Sequence, residues 1–171
     1  MRAVVDTNVP VVANGKSAQA SAKCVQTCAA RLRELTEAGT LVIDDRWLIL
    51  KEYMANLRSS GQPGSGDAFL KWVLTNYRNS ERCEMVSITP TDAESSDFKE
   101  FPISSGLASF HGKDRKFVAV SVAHLDHPPI FQAVDAKWWL MRDALQEAGV
   151  NVDFLCSDDM RAILEGSRAR T

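Results

Sequence analysis

Histidine and cysteine are scarce in this chain, three and four among 171 residues, and neither falls into a metal-binding spacing. There is no CxxC and no HxxxH, so a zinc ribbon or a helical two-histidine site has no basis in the sequence. Cys24 and Cys28 stand one helical turn apart, Cys83 and Cys156 are isolated, and all four read as small buried side chains. No apolar run reaches the roughly 18 residues of a membrane span. Met1-Arg2 leads directly into a short strand, without the roughly 7–15-residue apolar core of a signal peptide. The expectation is a soluble, cytoplasmic chain with no membrane association. Charge of one sign is not in excess either: 20 Lys and Arg against 22 Asp and Glu leave a formal net charge of −2. Affinity for nucleic acid would therefore have to come from a local basic patch. The absence of repeats of roughly 20–50 residues excludes a solenoid.

What remains is an ordinary globular composition, 45% hydrophobic and 25% charged, long enough for one domain with a proper core. Its first residues set the pattern. Met1-Arg2-Ala3-Val4-Val5 is a short apolar run that stops in Asp6-Thr7-Asn8, as a buried parallel strand does when it delivers polar groups to a sheet edge. Residues 9–16 read as a turn or short helix closed by Asn14-Gly15. Helical spacing of Val25, Ala29, Leu32 and Leu35 predicts a helix ending at Ala38 before Gly39. Leu41-Val42-Ile43 reads as strand two, and Asp44 or Asp45 caps a helix through Trp47, Leu50, Met54 and Leu57. After a flexible 59–66 loop, Asp67 is expected to cap a helix through Leu70, Val73, Leu74 and Tyr77. Residues 85–88 read as strand three. Thr91-Asp92-Ala93-Glu94 matches a capping box and predicts a short helix, and 101–113 is a loop. Asp114 opens a compact helix to Ala123, and strand four runs over 130–134 into Asp135. A helix spans Trp138 to Ala148, residues 150–155 form an edge strand, and a short helix is expected around 160–164. Strands alternating with helices predict an α/β fold with a mostly parallel central sheet, three layers deep. The expected domain is 1–156, with 157–171 as a tail or short helix.

Four carboxylates sit at element ends or on a partly apolar face: Asp6, Glu52, Asp114 and Asp135. Each has an ordinary explanation. Asp114 and Asp135 can cap helices, and Glu52 can lean on a lysine. As a set they point elsewhere, because carboxylates sharing one sheet edge repel unless a cation intervenes. Val4-Val5-Asp6-Thr7-Asn8-Val9, Ile49-Leu50-Lys51-Glu52-Tyr53, the helix opened by Asp114-Arg115-Lys116-Phe117 and the strand end Phe131-Gln132-Ala133-Val134-Asp135 come in that order. Together they resemble the motifs of PIN-domain nucleases, over nearly the whole chain. The chain departs from that pattern at Val134, where a polar residue is usual, and in a 59–113 stretch longer than in compact toxin-type members.

The resemblance implies a Rossmann-like PIN fold and a Mg²⁺- or Mn²⁺-dependent (endo)ribonuclease, in its narrower form the toxin of a toxin–antitoxin pair. An all-oxygen donor set suits those ions over zinc. Asp6 and Asp135 are the expected central ligands, Glu52 and Asp114 complete the cluster, and Thr7 and Asn8 orient Asp6 or a water. Lys113, Arg115 and Lys116 are candidate phosphate contacts or a solvated helix start, with Lys16 and Lys137 as weaker candidates. Trp138 and Trp139 offer a base-stacking surface, although their spacing favours core packing for at least one. The implied partners are RNA, a protein antitoxin and a second copy in a homodimer. Two other readings stand beside this one. A non-catalytic PIN-like module would bind RNA or scaffold a complex. A phosphatase-like domain would use Asp6 as nucleophile, but Asn8 breaks the DxD pattern it needs.

Overall fold

Three of the five strands are made of the runs that end in acids. In the computed structural model, which describes residues 1–168, β1 is Arg2–Val5, β2 is Thr40–Asp44, β3 is Cys83–Val86, β4 is Ile130–Gln132 and β5 is Val152–Phe154. They form one sheet in the order β3-β2-β1-β4-β5, every neighbouring pair parallel. Val4 and Val5 face Ile130 and Phe131 in register, and all four side chains are buried. Each contributes about 1.5–3 kcal/mol through apolar burial, which is why the central strands read as continuous apolar runs.

The helices cover both faces. On one, α1 (Asn8–Ala13), α2 (Ala22–Ala38) and α4 (Ser65–Asn76) pack against one another. Gly66 permits the close approach of α4 to α1, since a Cβ there would lie 1.9 Å from the Pro10 carbonyl oxygen. Opposite them, α5 (Arg115–Ala123) lies across β1, β2 and β4, with α3 (Leu48–Asn56) beside it. The chain closes with α6 (Ala136–Leu140), α7 (Arg142–Glu147) and α8 (Ser157–Arg168). Met160 of α8 is fully buried in the core; residues 169–171 of the expected tail lie outside the described residues. No helix of the described residues is long and apolar enough to cross a membrane.

Several expectations are corrected. Strand three is displaced to Cys83–Val86 because Leu41 pairs with Cys83; Ile88 is buried outside the sheet. The helix after Pro90 does not form. Pro90 instead bridges Phe98 in antiparallel fashion, and Asp92 spends its carboxylate on the Ser96 amide and hydroxyl, the local competition that draws Asp into turns. The 101–113 loop contains 3-10 turns at Ser105–Leu107 and Gly112–Asp114. The Trp138–Ala148 helix is broken at Met141, whose amide is shared between the Lys137 and Trp138 carbonyls. Helix α4 starts at Ser65 with Gly64 at its N-cap, and Asp67, three residues on, accepts from the Gly64 amide in place of capping the helix itself.

The largest correction concerns sulfur. Cys24 of α2 and Cys156 are joined by a disulfide spanning 132 residues, so only Cys28 and Cys83 are buried free thiols. Burial pushes them up to about 12 and about 11, which makes them inert as nucleophiles.

Candidate functional site

With β1 central, the chain leaves it toward β2 on one side and returns through β4 on the other. The β1/β4 boundary is therefore the switch point, where the carboxyl ends of the strands open a crevice. Asp6 stands at the end of β1 and Asp135 follows β4. A polar clasp joins the two strands. The Asn8 side chain donates to the Gln132 side-chain oxygen and accepts from the Ala133 amide at 3.0 Å. Asp6 in turn takes the Asn8 amide at 2.8 Å. From α3, the Tyr53 hydroxyl donates to the Val5 carbonyl at 2.5 Å, so the helix that carries Glu52 is pinned to the strand that carries Asp6.

Asp6 is only 5% exposed, and among the described residues the Asn8 amide is the single donor to its carboxylate. Burial pushes its carboxyl up to about 8; the Asn8 amide opposes this, and the charges of Asp114, Glu52 and Asp135 add to it. Asp114 is also raised, first by burial and then by Asp135, with His111 and Lys116 pulling the other way. The four sequence-predicted acids thus act on one another electrostatically, as expected of a shared edge. They are not a tight cage: among the described residues no three of their carboxylates approach within 4.8 Å of one another.

Their individual roles differ. Asp135 caps α6, taking the Lys137 amide at 2.8 Å. Asp114 occupies the N-cap position of α5 yet makes no capping hydrogen bond with its side chain, so that explanation does not account for it. Its nearest ionic neighbour is His111 Nδ1 at 3.8 Å. Glu52 pairs with Lys116 Nζ at 2.6 Å.

The basic residues require correction. Lys116 is buried, bound to Glu52 and to the Lys113 carbonyl, so it is an internal counter-ion. Arg115 pairs with Asp97 at 2.8 Å, donates to the Phe110 and Ala108 carbonyls and lies over the Phe101 ring. It therefore fastens the 97–110 loop, with three of its five N–H groups committed within the chain. Lys113, Lys16 and Lys137 are exposed. Trp138 is buried edge-on to Phe110 and presents no stacking face, whereas Trp139 is half-buried, edge-on to Phe154, with Arg142 and Arg161 over its ring. A cleft of about 240 Å³ opens beside Asp114, lined by Phe110, His111, Lys137, Trp138, Leu140 and Met141 among others.

Gln132 and His111 were not among the predicted residues. A buried amide between Phe131 and Ala133 in an apolar strand was the available signal for Gln132, because such a group costs free energy unless it is bonded. His111 could have been noticed three residues before Asp114.

The donor set suits a hard cation. Every candidate ligand is an oxygen, the Thr7 hydroxyl beside Asp6 is buried with no hydrogen-bond partner among the described residues, and the charges of Asp114, Glu52 and Asp135 add to the rise that burial imposes on Asp6. Carboxylates too widely spaced to wrap one ion together match Mg²⁺, which is usually held by one or two carboxylates and keeps several waters. No protein-family model, curated protein or solved structure matches the chain.

Proposed function

We propose that the chain is a PIN-like, Mg²⁺- or Mn²⁺-dependent ribonuclease acting at the β1/β4 edge. The toxin of a toxin–antitoxin pair is its narrower form. The observation that carries this reading is Asp6, a carboxylate with one amide donor, raised by burial and further by three other acids. Such an arrangement opposes folding unless a cation relieves it. Asp6 and Asp135 would hold the ion, with Asp114 and Glu52 acting on it through water. The ion would supply a water acidified for attack on a phosphodiester and neutralise charge developing on the phosphate.

The chain's own groups do the rest. The Asn8–Gln132 clasp fixes Asp6 relative to Asp135, and the free Thr7 hydroxyl can orient a water against the Asp6 carboxylate. Lys116 pairs with Glu52 as its counter-ion. Lys113 and Lys137 are the exposed cations beside Asp114 and Asp135, where they can meet a phosphate. The cleft beside Asp114, apolar along Phe110, Trp138 and Leu140, offers room for a base.

One observation favours a second reading. Because Lys116 already neutralises Glu52, the edge could persist as a metal-free RNA-binding module. Wild type and Asp6→Asn are incubated with labelled RNAs in Mn²⁺, Mg²⁺ or EDTA. The nuclease reading expects cleavage that needs the metal and disappears in the variant. Cleavage that survives EDTA or the substitution contradicts it, and RNA binding without cleavage in any metal selects the module.

A further inference from the structure

Away from the acidic edge, three of the four cysteines meet in one place. Cys24 and Cys28 are one turn apart on α2, so their sulfurs leave the same helix face. Cys156 reaches them from the turn that leads into α8. All three are buried, at 3%, 0% and 4% exposure. Cys24 and Cys156 are bonded, Cys28 Sγ is 3.8 Å from Cys156 Sγ, and the three sulfurs all lie within 4.8 Å of one another. A disulfide that only tied α8 to α2 would need two of them. The third sulfur, placed against the bond, is what a purely structural crosslink leaves unexplained.

We propose that the reduced chain uses Cys24, Cys28 and Cys156 as a three-sulfur site for a soft, thiophilic cation of the Cu⁺ class, and that the disulfide is the closed, oxidised form of this site. Three sulfurs each about 2.3 Å from a common ion lie about 4 Å apart, close to the Cys28–Cys156 separation already present. Thiolate ligands select soft ions, and structural zinc is almost always four-coordinate. Among the described residues no fourth His, Cys, Asp or Glu joins the group, and the oxygens of Asp159 already accept from the Ser21 amide and hydroxyl at 2.6 and 2.9 Å. The conversion balances with a reductant such as a phosphine. It takes up the oxygen of water as it delivers two electrons, and the two sulfurs leave as thiols. Binding of the ion then releases protons from the thiols to solvent. Compartments that keep thiols reduced would hold the site open, and oxidising ones would close it.

The full chain, reduced with a phosphine and handled without oxygen, is titrated with Cu⁺ presented as its bathocuproine disulfonate complex. X-ray absorption counts the sulfurs around the bound ion. The expected result is uptake of one ion per chain with three sulfur neighbours, lost in Cys28→Ser and kept in Cys83→Ser. Circular dichroism checks that each variant is folded, and the sulfur count in the wild type stands even if Cys28→Ser is not. Failure of the reduced wild type to take Cu⁺ from the chelator overturns the proposal. So does a count of two sulfurs, or undiminished uptake by folded Cys28→Ser. Because no cysteine belongs to the acidic edge, these outcomes are independent of RNA cleavage.

Discussion

Asp6 and Asp44 end neighbouring parallel strands, and both carboxylates are buried, at 5% and 2% exposure. Asp44 accepts three backbone amides, those of Arg46, Leu48 and Ile49, at 2.8 to 3.0 Å. It is the cap that starts α3. Asp6 accepts one. Asp67, also buried, belongs with Asp44: burial would raise it, but the Arg58 amide, the Asn14 side chain and the Gly64 amide together hold it below the ordinary value. A buried acid at a strand end is therefore not by itself a sign of chemistry. What distinguishes Asp6 is how few donors the fold spends on it and how many like charges surround it.

Substitutions at the two positions should have opposite effects. Asp6→Asn is expected to lower RNA cleavage by roughly three orders of magnitude, while thermal stability in EDTA above about pH 8, where Asp6 would be ionised, holds or rises because a crowded charge has gone. It should also remove a pH dependence. In the metal-free wild type the Asp6 carboxyl sits at about 8 against an ordinary 3.8, so the folded chain holds a proton that the unfolded chain has released between those values. That contribution to stability is fully present below 3.8 and lost as pH rises through about 8. Urea melts in EDTA across this window should show stability falling with pH in the wild type and a flatter profile in Asp6→Asn. A steep fall that persists in the variant would assign the effect to other groups.

Next in size is Asp44→Ala, expected to cost about 3 kcal/mol through the loss of a charged acceptor for three backbone amides, that of Ile49 buried. Cleavage per folded molecule should be unchanged. If it fell as far as in Asp6→Asn, the contrast between the two strand ends would collapse. Lys116→Met should cost about 2 kcal/mol in EDTA, since it strands the partly buried Glu52, and Mn²⁺ should raise its melting temperature more than that of the wild type. Equal metal shifts would mean that Lys116 and the ion do not relieve the same charge. The smallest effect is that of Lys113→Ala, a uniform weakening of RNA binding with the salt slope reduced by about 1, measured by fluorescence anisotropy. Arg115→Ala, by contrast, should leave that slope alone and loosen the 97–110 loop.

The architecture was legible where local pattern and burial agree. β1, β2 and β4 are apolar runs cut off by polar residues, and their parallel arrangement follows from the helices between them. Strand order was not legible, because pairing β1 with β4 depends on contacts more than a hundred residues apart. The β3 boundary failed for a local reason: Ile88 is as apolar as a strand residue but is buried by a loop. At the site, Asp6, Asp114 and Asp135 were marked by their places at element ends, Glu52 by its partly apolar helix face, and all four by the resemblance of their motifs. That their charges act on one another needed the structure. Lys116 was misread as a surface cation although Val120, one turn on, already placed it on a buried line of α5. The Cys24–Cys156 bond was beyond reach, since cysteines separated by 132 residues carry no pairing information in their spacing.

On the proposed function, Asp6 is left short of donors because a divalent cation completes it. Calorimetric titration of Mn²⁺ into wild type, Asp6→Asn and Asp44→Asn tests this without reference to any substrate. The account predicts saturable binding in the wild type, its loss in Asp6→Asn and its retention in folded Asp44→Asn. Binding heats that are the same in wild type and Asp6→Asn, or absent from both, would contradict it.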